Sequence, residues 1–141
     1  MTAADAGQPT VVLVEDDRVL RDVLAEVLGD EGYRVLPVAA WRQAYATVQA
    51  EHPDVVLLDL MLGGQDTGWQ VLNHLTLDPR TRDIPVILTT GAVEAVQQRQ
   101  PALLPEYGIS VLPKPFDLDA LCTLVQAQVQ RRSSLRAADL V

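Results

Sequence analysis

The chain has 141 residues, 48% of them hydrophobic, and a net charge of −8; this excludes a disordered chain and suits one domain. An acidic chain with no basic cluster longer than Arg131-Arg132 is poorly suited to the phosphate backbone of nucleic acid. The single cysteine, Cys122, excludes an internal disulfide, and no apolar run approaches the roughly 20 residues of a membrane helix.

Residues 1–9 are small and polar, without the basic and apolar regions of a signal peptide, and read as a disordered leader of a soluble, cytoplasmic protein. The domain is expected over residues 10–130. Val11–Val14 is the first apolar run of strand length. Val19, Val23, Leu24, Val27 and Leu28 follow at helical spacing, with Gly32 as the stop. Val35–Val38 is the second strand, and Ala40–Ala50 repeats the helical pattern through Trp41, Ala44, Tyr45 and Val48. Val55–Leu58 is the third strand. Trp69–Leu77 is helical and ends at Asp78-Pro79. Val86–Leu88 is the fourth strand. A short helix is expected near Val93–Gln100, because Pro101 and Pro105 do not suit a helix interior. Ile109–Leu112 is the fifth strand. Leu118–Val129 forms the last helix, with Asp117 as its N-cap. Residues 131–141 read as the end of that helix and a loose tail or the start of a linker.

The strand runs lack strict alternation, as expected of strands covered on both faces. Five βα units in series imply an α/β fold with a doubly wound, five-stranded parallel sheet and right-handed crossovers. Active crevices in such sheets lie at the carboxyl ends of the strands. There the sequence offers Glu15-Asp16-Asp17 after the first strand and Asp59 after the third. It offers Thr89-Thr90-Gly91 after the fourth, and Pro113-Lys114-Pro115-Phe116 after the fifth. Crowded carboxylates repel one another and call for a cation. Mg²⁺ favours such hard oxygen ligands and leaves room for a phosphate oxygen. A lysine and a threonine hydroxyl can pair with that phosphate. The set suits phosphoryl transfer, in which an aspartate can itself be the nucleophile.

In that order and at those strand ends, Glu15-Asp16, Asp59, Thr90-Gly91 and Lys114-Pro115-Phe116 resemble the receiver domain of two-component response regulators. The likeness runs from about Thr10 to Val129, with 43 residues from Asp16 to Asp59 and 24 from Thr90 to Lys114. It implies the flavodoxin-like (βα)5 fold of chemotaxis-type regulators and a signalling switch. Asp59 would accept a phosphoryl group from a sensor histidine kinase or a histidine phosphotransfer protein and thereby change binding to a downstream protein target. Asp16 would ligate Mg²⁺ directly, Glu15 directly or through water, and Met61 through its backbone carbonyl. Thr90 would move toward the phosphoryl group, Lys114 would pair with it, and Pro115 would follow a cis peptide bond. Such a protein catalyses only its own phosphorylation and dephosphorylation. Family analogy also allows a homodimer through the fourth and fifth helical regions.

Some residues carry plainer readings. Asp17 reads as a solvated loop acid, Thr89 as a strand residue, and Cys122, Tyr45, Trp69 and Phe116 as packing residues. Histidines 52 and 74 show no metal-ligand spacing with Cys122. The chain also departs from the family. The loop Leu62-Gly63-Gly64-Gln65-Asp66-Thr67-Gly68 lacks the proline that often follows the phosphoacceptor. Val111 stands where an aromatic residue is common, leaving Thr90, the backbone or another side chain such as Tyr107 to report the switch. Met61 and Ala92, two residues past Asp59 and Thr90, offer no group to activate water, which implies slow self-dephosphorylation. Two alternatives compete: a degenerate receiver that binds partners without phosphorylation, and an aspartate-nucleophile phosphatase, disfavoured because Met61 replaces the second acid usual there.

Overall fold

The computed structural model describes residues 7–61, 67–91 and 108–139, with side chains as far as residue 133. Five parallel strands form one sheet: β1 (Thr10–Val14), β2 (Arg34–Val38), β3 (Val55–Asp59), β4 (Val86–Thr90) and β5 (Ile109–Pro113), in the spatial order β2-β1-β3-β4-β5. The described helices are α1 (Arg18–Asp30), α2 (Trp41–Glu51), α3 (Gly68–Leu77) and α4 (Leu118–Asp139). The helix expected near Val93–Gln100, together with Ala92, Pro101, Pro105 and Tyr107, lies outside the described residues, as do residues 62–66.

Successive side chains on a strand point to opposite faces. Val12 and Val14 of β1, Val56 and Leu58 of β3, and Val86 and Leu88 of β4 accordingly join Ala44 and Val48 of α2 and Val71, Leu72 and Leu75 of α3 in one core. Val11, Leu13, Val55, Leu57 and Ile87 point the other way and join Leu24 and Leu28 of α1 and Leu121, Val125 and Val129 of α4. Both faces are covered by helices, which is why the strand sequences are apolar throughout rather than alternating. Cys122 packs at the rim of the second core, as its helical pattern implies.

The helix ends follow local chemistry. Asp17 caps α1: its Oδ1 accepts from the amides of Val19 (3.0 Å) and Leu20 (3.2 Å). At the other end Gly32 takes φ +97, its amide donates to the Gly29 carbonyl, and that of Tyr33 to the Leu28 carbonyl. This pairing is the Schellman arrangement that a left-handed glycine permits. Asp117 accepts from the amide of Asp119 (2.9 Å), matching its expected capping role. The last helix ends later than its apolar pattern, running through most of the expected tail to Asp139. Residues 130–139 include arginine, leucine and alanine, which have high helix propensity. Tyr45 packs on the first core, and its hydroxyl also donates to Asp78 just beyond α3. No helix among the described residues is long and apolar enough to cross a membrane.

Candidate functional site

The strand order brings the carboxyl ends of β1, β3, β4 and β5 to one edge. Beyond Val14 the chain keeps one more sheet bond, from the Glu15 amide to the Val38 carbonyl (3.1 Å). That bond carries the Glu15 side chain inward, where it is 2% exposed. Asp59 closes β3 and is 5% exposed. Carboxylate oxygens of Glu15, Asp16 and Asp59 lie within 4.8 Å of one another, with Asp16 the exposed member. Charged groups are rarely buried in this way without a partner. The partner here is Lys114, whose Nζ stands 3.0 Å from Oδ2 of Asp59 and 3.3 Å from Oε1 of Glu15.

Lys114 is placed by the sheet itself: Thr90 pairs with Pro113 in register, and the next amide, that of Lys114, donates to the Thr90 carbonyl (2.8 Å). The expected cis bond between Lys114 and Pro115 is present. Thr90 is buried at the end of β4, and Thr89 beside it is a buried strand residue whose carbonyl accepts from the Leu60 amide (3.2 Å). The amide of Met61 donates to Oδ1 of Asp59 (3.0 Å), while the Met61 side chain is 47% exposed. Each expected site residue therefore belongs to, or adjoins, the same edge.

The electrostatics follow from this crowding. Burial, followed by a hydrogen bond with Asp59 and its charge, pushes the Glu15 carboxyl up to about 7; the charge of Lys114 and the amide of Asp17 act in the opposite direction. Burial works against the charge on Lys114, but the hydrogen bond to Asp59 and the two carboxylates outweigh it and hold the ammonium above its ordinary value. Three carboxylates against one ammonium leave two negative charges in excess when all are ionised. An all-oxygen donor set with that surplus fits a hard divalent cation.

Two residues had features that the sequence reading did not single out. Asp17 is the α1 cap rather than a plain solvated acid, and the signal was its place immediately before a helical pattern. Gly68 opens α3 directly against the end of β3, and its amide donates to the Leu60 carbonyl (3.0 Å). A Cβ at Gly68 would press on Leu60 Cα and stand 2.6 Å from the Asp59 carbonyl oxygen and 2.7 Å from that of Leu60. Gly68 is thus the residue that lets a helix start against the backbone of the buried acid. A glycine at a helix start was a signal, but it could not indicate which backbone it would touch.

Residues 11–126 match the family model for the response regulator receiver domain. The phosphate regulon transcriptional regulatory protein PhoB of Escherichia coli is 28% identical over 131 residues, covering 93% of this chain and 56% of PhoB. Sporulation initiation phosphotransferase F of Bacillus subtilis is 28% identical over 125 residues, 88% of this chain and 96% of that protein. Of the curated relatives matched, several are regulators of which the chain spans about half the length. Among solved structures, the receiver domain of the sensor histidine kinase PA1611 of Pseudomonas aeruginosa has a TM-score of 0.72 and 26% identity, covering 88% of this chain and 99% of that one. That structure has a magnesium ion coordinated in its active-site cleft.

Proposed function

Because this chain belongs to the response regulator receiver domain family, we propose that it is a phosphorylation-dependent switch in a two-component system, with Asp59 as the acceptor. The observation that carries this reading is the ammonium of Lys114 at 3.0 Å from the one acid that ends an inner strand, with two more carboxylates beside it.

In this reading an oxygen of Asp59 attacks the phosphorus of a phosphohistidine on a sensor kinase or phosphotransfer protein. The new O–P bond forms as the N–P bond breaks, and the imidazole leaves with the electron pair. Lys114 pairs with a phosphoryl oxygen, and the Thr90 hydroxyl donates a further hydrogen bond once it moves toward the group. Glu15, Asp16, Asp59 and the Met61 carbonyl would hold Mg²⁺, whose charge offsets that of the carboxylates and the incoming phosphate. Positioning and charge neutralisation are the main sources of rate in such transfers. The amide of Met61 on Oδ1 of Asp59 helps by fixing the carboxylate plane.

The chain acts as a regulated switch rather than a classical enzyme, and its only chemistry is on its own aspartate. Phosphorylation then shifts the population toward a state that binds a downstream protein. Residues 10–130 are the receiver unit in this reading, 1–9 a leader and 131–141 a tail or the start of a linker. The cytoplasm is the compartment that fits a histidine-kinase partner.

The test is incubation with acetyl phosphate and Mg²⁺ followed by intact mass measurement. One added phosphoryl group is expected, absent in Asp59→Ala and absent when the cation is chelated. An unmodified wild-type mass under these conditions would overturn the proposal.

A further inference from the structure

The turn between β1 and α1 is held from outside the ring of acids. Side chains on a helix lean back toward its N-terminus, and Arg21, in the first turn of α1, does so. Its Nη1 donates to the Glu15 carbonyl (3.0 Å) and reaches the Asp16 carbonyl (3.4 Å). Its backbone amide donates to the Asp17 carbonyl (2.8 Å). One residue thus ties three successive carbonyls of the acidic turn.

Those contacts matter most for Asp16. The peptide groups on both sides of its Cα carry the two carbonyls bonded by the guanidinium, so their planes are set together. With both planes set, the direction of the Asp16 Cα–Cβ bond is set as well. Glu15 and Asp59 are buried, and packing fixes them, whereas Asp16 is the exposed member of the cluster. The backbone of the turn sets where that side chain leaves the chain.

We propose that Arg21 is a positioning residue for cation binding: it holds the β1–α1 turn so that Asp16 already faces Glu15 and Asp59 when the cation arrives. The proposal rests on the reading of this edge as a Mg²⁺-dependent acceptor site. It makes a prediction opposite in sign to that of charge alone. A guanidinium near an anionic cluster repels a divalent cation, so if only its charge counted, removing it would tighten binding. If it positions the turn, removing it loosens binding.

Calorimetric titration of Mg²⁺ into wild type, Arg21→Ala and Arg21→Lys, with a urea unfolding midpoint for each, separates these. Arg21→Ala is expected to weaken binding roughly tenfold, the low end of what outer-shell partners of a metal site contribute. Arg21→Lys keeps the charge but not the reach of Nη1, and is expected to fall between the two. Equal or tighter binding by Arg21→Ala overturns the proposal, including the case where only its urea midpoint drops. Should Arg21→Ala fail to fold, unchanged Mg²⁺ affinity in Arg21→Lys overturns it instead. Wild type that binds no Mg²⁺ overturns the site reading as a whole, a result distinct from either variant behaving like wild type.

Discussion

Lys114 and Asp59 are 55 positions apart in the chain, yet the Nζ of one lies 3.0 Å from the Oδ2 of the other. The pairing of β3 with β4 and of β4 with β5 accounts for the approach, because it brings Asp59 at the end of β3 and Lys114 just after β5 to the same edge. The same ammonium also serves Glu15, so one cation is divided between two buried carboxylates. Neither acid is fully compensated, and the behaviour of the site follows from that.

The first consequence is a dependence of stability on pH. Glu15 is raised from its ordinary 4.5 to about 7 in the folded chain, chiefly by burial and then by Asp59. The unfolded chain releases that proton as pH passes about 4.5, the folded chain only near 7. The folded state binds the proton more tightly across this window, so the Glu15 contribution to stability falls as pH rises through it and is constant above. Urea midpoints of wild type and Glu15→Gln, measured without divalent cation from pH 4.5 to 8, should diverge, with wild type losing ground as pH rises. Added Mg²⁺ should restore the wild-type midpoint at the high end. Parallel curves would contradict this account.

A second expectation concerns Gly68. Replacing a glycine within a helix by alanine ordinarily stabilises by up to about 1 kcal/mol. Here the added methyl group meets the backbone of Asp59 and Leu60, which cannot swing aside as a flexible side chain would. Overpacking of this kind costs roughly 1–3 kcal/mol. Gly68→Ala should therefore lower the thermal midpoint and slow phosphoryl uptake, because the displaced atoms carry the acceptor. A raised midpoint would show that α3 shifts without penalty.

Lifetime of the phosphorylated form is the third. Met61, whose amide bonds Asp59, has an exposed side chain with no group able to act as a base toward water. The aspartyl-phosphate should persist for minutes or longer once free phosphodonor is removed. Met61→Asn or Met61→Glu should shorten that lifetime several-fold by supplying a hydrogen-bonding group at an accessible position. Following the phosphorylated mass over time checks both statements, and wild-type loss within seconds would refute the first.

How much of this was legible from residue order varies with the distance over which each interaction acts. Strands with apolar residues on both faces, a glycine after α1 and an aspartate before α4 are local signals, because burial and capping act within a few residues. The rule that crevices open at strand ends then places Glu15, Asp59, Thr90 and Lys114 at one edge from residue order alone. Helix α4 outran its apolar pattern because the residues after Val129 include strong helix formers.

Other features depended on the three-dimensional arrangement alone. Lys114 divides its charge between Glu15 and Asp59 because two strand pairings and a turn meet within a few ångströms. Gly68 must lack a side chain because α3 begins against the Asp59–Leu60 backbone, and Arg21 spans the acidic turn because α1 starts where its guanidinium reaches the Glu15 and Asp16 carbonyls. Residue types and their periods decide which elements form and which ends bear charge. Which atoms touch is decided by sheet order, register and helix placement, and these are properties of the packed whole that no local stretch of residues contains.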